Sequence, residues 1–174
     1  MFKDNKNTEV MELRRVVVTG LGTINSTGHN VKDSFQAVVD GVCGIDTITL
    51  FDASDFSVQI AGEVKDFNPE TVMDKKEVKK ADRFIQLGIK AALEAMIDSG
   101  YVTQEDKKVD ASIADSFGII SGSGIGGLST IERNSVVCEN RGSRKISPFF
   151  IPSSLANMLS GFISIEHNLK GPSL

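Results

Sequence analysis

The densest chemistry-bearing spacing in the chain is Ser121-Gly122-Ser123-Gly124-Ile125-Gly126-Gly127-Leu128, which follows the apolar run Phe117-Gly118-Ile119-Ile120. Gly122, Gly124, Gly126 and Gly127 free the backbone for positive φ and for close approach of a ligand or another main chain. Three readings fit. Gly122 to Gly127 matches G-x-G-x-x-G, the loop that brings backbone N–H groups to a dinucleotide pyrophosphate. The acidic residue such a site needs about 20 positions on is missing, because that window holds Arg141-Gly142-Ser143-Arg144-Lys145. The segment is otherwise a bare strand-to-helix turn, or a turn that presents Ile125, its one large side chain, as an apolar group.

Nucleophiles and bases are sparse. Cys43 and Cys138 lie far apart with no C-x-x-C pattern and no nearby histidine pair, so both read as reduced, structural thiols and no metal site is expected. His29 reads as a surface histidine. Cations are more suggestive. Lys75, Lys76, Lys79 and Lys80, with Arg83 a turn further on, sit at the start of a helical pattern, where positive charge opposes the helix dipole. They form either a solvated face or a docking site for an acidic partner. Arg141, Arg144 and Lys145 form a second group, directly before Ile146-Ser147-Pro148-Phe149-Phe150-Ile151-Pro152. Two phenylalanines between prolines cannot be an ordinary helix interior, and make a buried loop or an apolar patch offered to a partner.

The elements that must position these groups alternate in type. Arg14 to Gly20 is a β-branched run that reads as a central strand buried on both faces. Asn30 is a candidate N-cap for a helix with Val31, Phe35, Val38 and Val39 on one stripe and Gly41 as its stop. Residues 44 to 67 read as a long loop ending in a strand near Val58 to Val64. The clearest helix runs from Val78 to Ser99, with Gly100 as the C′ residue. A strand at Phe117, the glycine turn and a helix over Leu128 to Cys138 follow. Pro152 suits the first position of a last helix, ended by Asn168 and Gly171, after which Gly171-Pro172-Ser173-Leu174 starts a new extended segment.

At 174 residues, 40% hydrophobic and 24% charged, the composition is that of a soluble globular domain with room for a substantial core. The net charge of −4 argues against nucleic-acid binding, and no stretch approaches the roughly 18 apolar residues of a membrane span. Residues 1–11 are polar, lack a secretory h-region and read as a disordered lead. The expected compartment is the cytoplasm.

The Arg14 to Gly22 run, the Ser121 to Leu128 turn, the block Arg144 to Ser153 and the final Gly171-Pro172-Ser173-Leu174 together closely resemble the β-ketoacyl-acyl-carrier-protein synthase II family, over residues 12–174. The resemblance implies an α/β, thiolase-like αβαβα layered fold, usually homodimeric. This chain would be its N-terminal half, with a mixed five-stranded sheet whose last central strand is cut off before the nucleophile turn. Such enzymes take an acyl chain from acyl carrier protein onto a cysteine, decarboxylate malonyl-acyl-carrier protein and join the two in fatty acid elongation. None of Cys43, Cys138, His29 and His167 matches the family's nucleophile or histidines. The resemblance therefore assigns no catalytic residue, cofactor or metal to these 174 residues, and implies that the chain alone is inert. It does match Ile125 to a position gating the acyl pocket, and Phe150 and Ile151 to positions that cross the dimer interface and line the partner's pocket. Lys79, Lys80, Arg144 and Lys145 match the patch that docks the acidic carrier protein. The alternative is a truncated, non-enzymatic module that binds acyl carrier protein.

Overall fold

A computed structural model describes residues 14–174; the disordered lead expected over residues 1–11 lies outside them. The chain is organised around helix α3 (Arg83–Asp98), whose inward residues Ile85, Ile89 and Leu93 are buried. Val72, Met73, Ala81, Val102, Val109 and Ile163 complete the core around it. Helix α6 (Met158–His167) packs directly on α3. The approach is close because of Gly88, where an added Cβ would stand 2.4 Å from the Leu159 side chain.

Local chemistry accounts for most helix ends. Helix α1 (Val31–Val39) begins at Asn30, whose side chain accepts from the Asp33 N–H. Gly100, just past the α3 C-cap, takes φ +78°, and Asn168 ends α6 at φ 57°, the left-handed conformation that closes helices. Helix α4 (Leu128–Arg141) runs three residues beyond the expected Cys138.

Three expectations need correction. The helix read from Val78 to Ser99 is two elements, α2 (Lys75–Val78) and α3, separated at Lys79–Asp82. Pro152 does not open the last helix. It lies inside a short helix, α5 (Phe150–Ser154), and α6 is separate. A proline at the third helical position is tolerated because the first four N–H groups of a helix have no intrahelical partner.

The third correction concerns the sheet. Arg14 to Gly20 is not a strand buried on both faces: Val16, Val17 and Val18 are 90%, 62% and 80% exposed. The segment touches the structure through Gly20 and Gly22, which lie so close to α3 that added Cβ atoms would stand 2.3 and 2.0 Å from the Ala95 and Ala91 carbonyl oxygens. Among the described residues the only ladder is β1 (Asp46–Thr47) antiparallel to β2 (Ile60–Ala61), so the five strands expected of the sheet are not assembled here. One further pairing is parallel. Ile119 bridges Ser173, with Ile119 N–H donating to Pro172 O and Leu174 N–H to Ile119 O at 2.8 and 2.9 Å. The final extended segment thus lies beside the segment that feeds the glycine turn, where the expected strand at Phe117 is reduced to this single bridge.

Candidate functional site: the glycine turn and its cationic rim

The four glycines of the turn divide into two kinds. Cβ atoms added at Gly122 or Gly124 would meet nothing within 4 Å. Gly126, at φ +80°, faces the Ser154 carbonyl oxygen at 2.4 Å from such a Cβ, and Gly127 faces the Ser153 carbonyl oxygen at 2.5 Å. The Gly127 N–H donates to Ser154 O at 2.9 Å, and the Gly126 N–H to the Ser123 hydroxyl at 3.0 Å. Only the last two glycines are therefore required by close packing. They press the turn onto α5, and Ile125, immediately before them, is left 66% exposed.

That contact joins the sequence-distant apolar candidates. Phe150 and Ile151 begin α5, the helix whose end seats Gly126 and Gly127. Phe150 is half-buried and Ile151 is 54% exposed. The turn, α5 and the apolar side chains thus form one continuous feature.

Lys80 borders the same feature, by a contact the sequence does not reveal. The Ser153 hydroxyl donates to Lys80 O at 2.6 Å, and the Lys80 ammonium stands 5.5 Å from the Phe149 ring centroid, within cation–π range. Lys80 also pairs with Glu77 at 2.6 Å, so part of its charge is answered inside the chain. Lys79 is exposed. Arg144 and Lys145, also exposed, lie on a 3-10 turn (Ser143–Lys145) packed against α4. Lys79 shares a cleft of about 860 Å³ with Asp82, Thr130 and Arg133; Arg133 is an exposed cation the sequence reading did not single out. Arg83 lines the same cleft and is held by the chain itself. Its guanidinium donates to Val64 O and Phe67 O and stacks 5.0 Å from the Phe67 ring, and burial pushes its pKa down.

The N-terminus of α4 does not present a free phosphate cradle. Asp82, 8% exposed, accepts the Thr130 N–H through Oδ2 at 2.9 Å, while Ser154 O takes the Gly127 N–H. A dinucleotide pyrophosphate would have to displace the chain's own carboxylate. Cys43 and Cys138 are free and exposed, and among the described residues no group of His, Cys, Asp and Glu could hold a metal ion. His29 contacts Lys65 O, and His167 is fully buried with Nδ1 2.7 Å from Lys107 O. No described helix is long and apolar enough to cross a membrane.

Comparison with known proteins decides the family. A family model described as "Beta-ketoacyl synthase, N-terminal domain" matches residues 13–174. The chain belongs to the beta-ketoacyl synthase family. The 3-oxoacyl-[acyl-carrier-protein] synthase 2 of Coxiella burnetii (strain RSA 493 / Nine Mile phase I) is 46% identical over 164 residues, which are 94% of this chain and 38% of that protein. The chain thus spans well under half the length of this relative. Among solved structures, the ishigamide ketosynthase/chain length factor superposes with a TM-score of 0.76 at 27% identity, over 92% of this chain and 39% of that one. A type II PKS acyl-carrier protein in complex with its ketosynthase bound to the hexaketide gives a TM-score of 0.70 at 23% identity, over 91% and 40%, and shares the fold. The beta-ketoacyl synthase chain is accordingly an N-terminal part of the thiolase-like α/β fold.

Proposed function

We propose that this chain is the N-terminal part, residues 12–174, of a 3-oxoacyl-[acyl-carrier-protein] synthase II that condenses acyl groups with malonyl-acyl-carrier protein in fatty acid elongation. The observation that carries the reading is the seating of the Ile125 turn on α5. Gly126 and Gly127 allow main chain to touch main chain, which sets an exposed isoleucine at the end of the helix that begins with Phe150 and Ile151. A large apolar side chain in an otherwise bare turn suits a narrow acyl pocket, where one methylene more or less changes the fit.

In this reading Ile125 gates the pocket, and Phe150 and Ile151 line the pocket of the second subunit of a homodimer. Lys79, Lys80, Arg144 and Lys145 dock the acidic carrier protein, setting encounter rate and specificity more than raw affinity. Nucleophilic and histidine chemistry is assigned to none of these 174 residues, so this chain alone is inactive and contributes binding and selection. The enzyme works in the cytoplasm. A non-enzymatic carrier-protein-binding module would use the same cationic rim without the pocket.

The test is Ile125→Phe in the complete synthase, with acyl-carrier substrates of graded chain length. The larger ring should block long chains and spare short ones. Equal loss at every length would remove the gate from the reading and leave the binding module in front.

A further inference from the structure

We propose that Asp82 is a positioning residue for acyl chain-length selection, because its buried carboxylate fixes the first turn of α4, and so the Ile125 turn, against the start of α3. The inference rests on the reading of Ile125 as the acyl gate.

Asp82 is 8% exposed, and among the described residues it forms no ion pair. A buried carboxylate without a counter-cation is expensive to hold. What it meets instead is the N-terminal end of a 14-residue helix: Oδ2 accepts the Thr130 N–H at 2.9 Å, an arrangement the helix dipole favours. Thr130 is itself 8% exposed.

Asp82 is held at its other end. Its carbonyl accepts the Ile85 and Gln86 N–H groups at 3.0 and 3.2 Å, which fixes the residue to the first turn of α3, the helix that carries the core. The same Oδ2 lies 3.0 Å from where a Cβ on Gly127 would stand. Gly127 is two residues from Ile125. The gate therefore has two anchors: the α5 carbonyls of Ser153 and Ser154, which set its approach, and Asp82, which ties it to α3, the helix whose inward face forms the core.

Loss of the carboxylate leaves the buried Thr130 N–H without a partner, frees the first turn of α4 and lets Ile125 yield. In the complete synthase, Asp82→Ala should raise the ratio of kcat/KM for long-chain over short-chain acyl substrates by about tenfold, the scale of one lost hydrogen bond to a charged acceptor. Asp82→Asn retains an acceptor oxygen and should keep the ratio within about twofold. In an Ile125→Ala background the Asp82→Ala effect should vanish, because no gate remains to be held. Should Asp82→Ala not fold, Asp82→Glu, whose carboxylate is displaced by one methylene, must move the ratio in the same direction.

An unchanged ratio in the folded Asp82 variant, or an equal change with and without Ile125, overturns the inference. If Ile125→Phe itself leaves chain-length preference untouched, it is the gate reading that has failed, and the two failures are distinguished.

Discussion

Replacing Gly126 by alanine should damage the protein far more than replacing Gly122, although both glycines belong to one motif. At Gly126 the residue sits at φ +80°, and an added Cβ would lie 2.4 Å from Ser154 O and 3.1 Å from the Ala156 nitrogen, all backbone atoms that cannot rotate away. The left-handed conformation costs a non-glycine residue about 1 to 2 kcal/mol. Relieving the contact requires the turn to lift from α5, which stretches the Gly127 N–H to Ser154 O bond of 2.9 Å and exposes a further loss of about 1 to 3 kcal/mol. Together these give about 2 to 5 kcal/mol. Gly122 has ordinary φ and open space around it, so Gly122→Ala should stay within about 0.5 kcal/mol of the parent. Calorimetry on the complete synthase should show Gly126→Ala melting about 2 °C or more below Gly122→Ala, at roughly 1 °C per kcal/mol for a chain more than twice this length. Melting points within about 1 °C of each other would refute the claim that main-chain contact with α5 seats the turn.

Charge reversal at the cationic rim should be unequal. Lys79 is exposed and outside every ion pair among the described residues, whereas Lys80 already faces Glu77 at 2.6 Å. Lys79→Glu should therefore weaken acyl-carrier-protein binding by about five- to tenfold at low salt and much less at high salt, with Lys80→Glu the milder change. Calorimetric titration that finds equal affinity for parent and Lys79→Glu removes this patch from the interface. Acid stability has a local source at Glu63, whose carboxyl is held below the usual glutamate range by the Thr49 hydroxyl and N–H, with Leu50 N–H and Lys65 adding to the effect. Because the folded value is depressed, its stabilisation is fully present above the ordinary glutamate range and is lost as pH falls through the lowered value. Thr49→Val should flatten that acid limb of the melting temperature against pH, and an unaltered limb would exclude Glu63 as its origin.

Where local chemistry suffices, sequence and structure agree. The Asn30 cap, the Gly100 and Asn168 helix ends and the start of α4 at Leu128 depend on side chains and dihedrals within a turn of the residue concerned. The motif blocks also carried the family, because the Gly-Ile-Gly-Gly turn and the segment ending in Gly171-Pro172-Ser173-Leu174 are specific in residue type and order. Strands were less legible. The β-branched run Arg14 to Gly20 shows a propensity for extension, but a ladder requires a partner, and Val16 and Val18 are left facing solvent among the described residues. Propensity belongs to the segment and pairing to the whole fold.

The break at Lys79–Asp82 marks the same division at the candidate site. Helical periodicity continues across it, yet the Ser153 hydroxyl takes Lys80 O and Thr130 takes the Asp82 carboxylate, partners 73 and 48 residues away in sequence. By itself the sequence determined which residues could gate, line or dock: an isoleucine among glycines, a Phe-Phe-Ile run and paired cations. Only the tertiary structure decided that Ile125, the Phe-Phe-Ile run and Lys80 border one feature, that two of the four glycines meet main chain closely, and that the Asp82 carboxylate meets the start of α4. The physical reason is that residue type sets what a side chain can do, while hydrogen bonds and steric contacts between distant segments set where it stands.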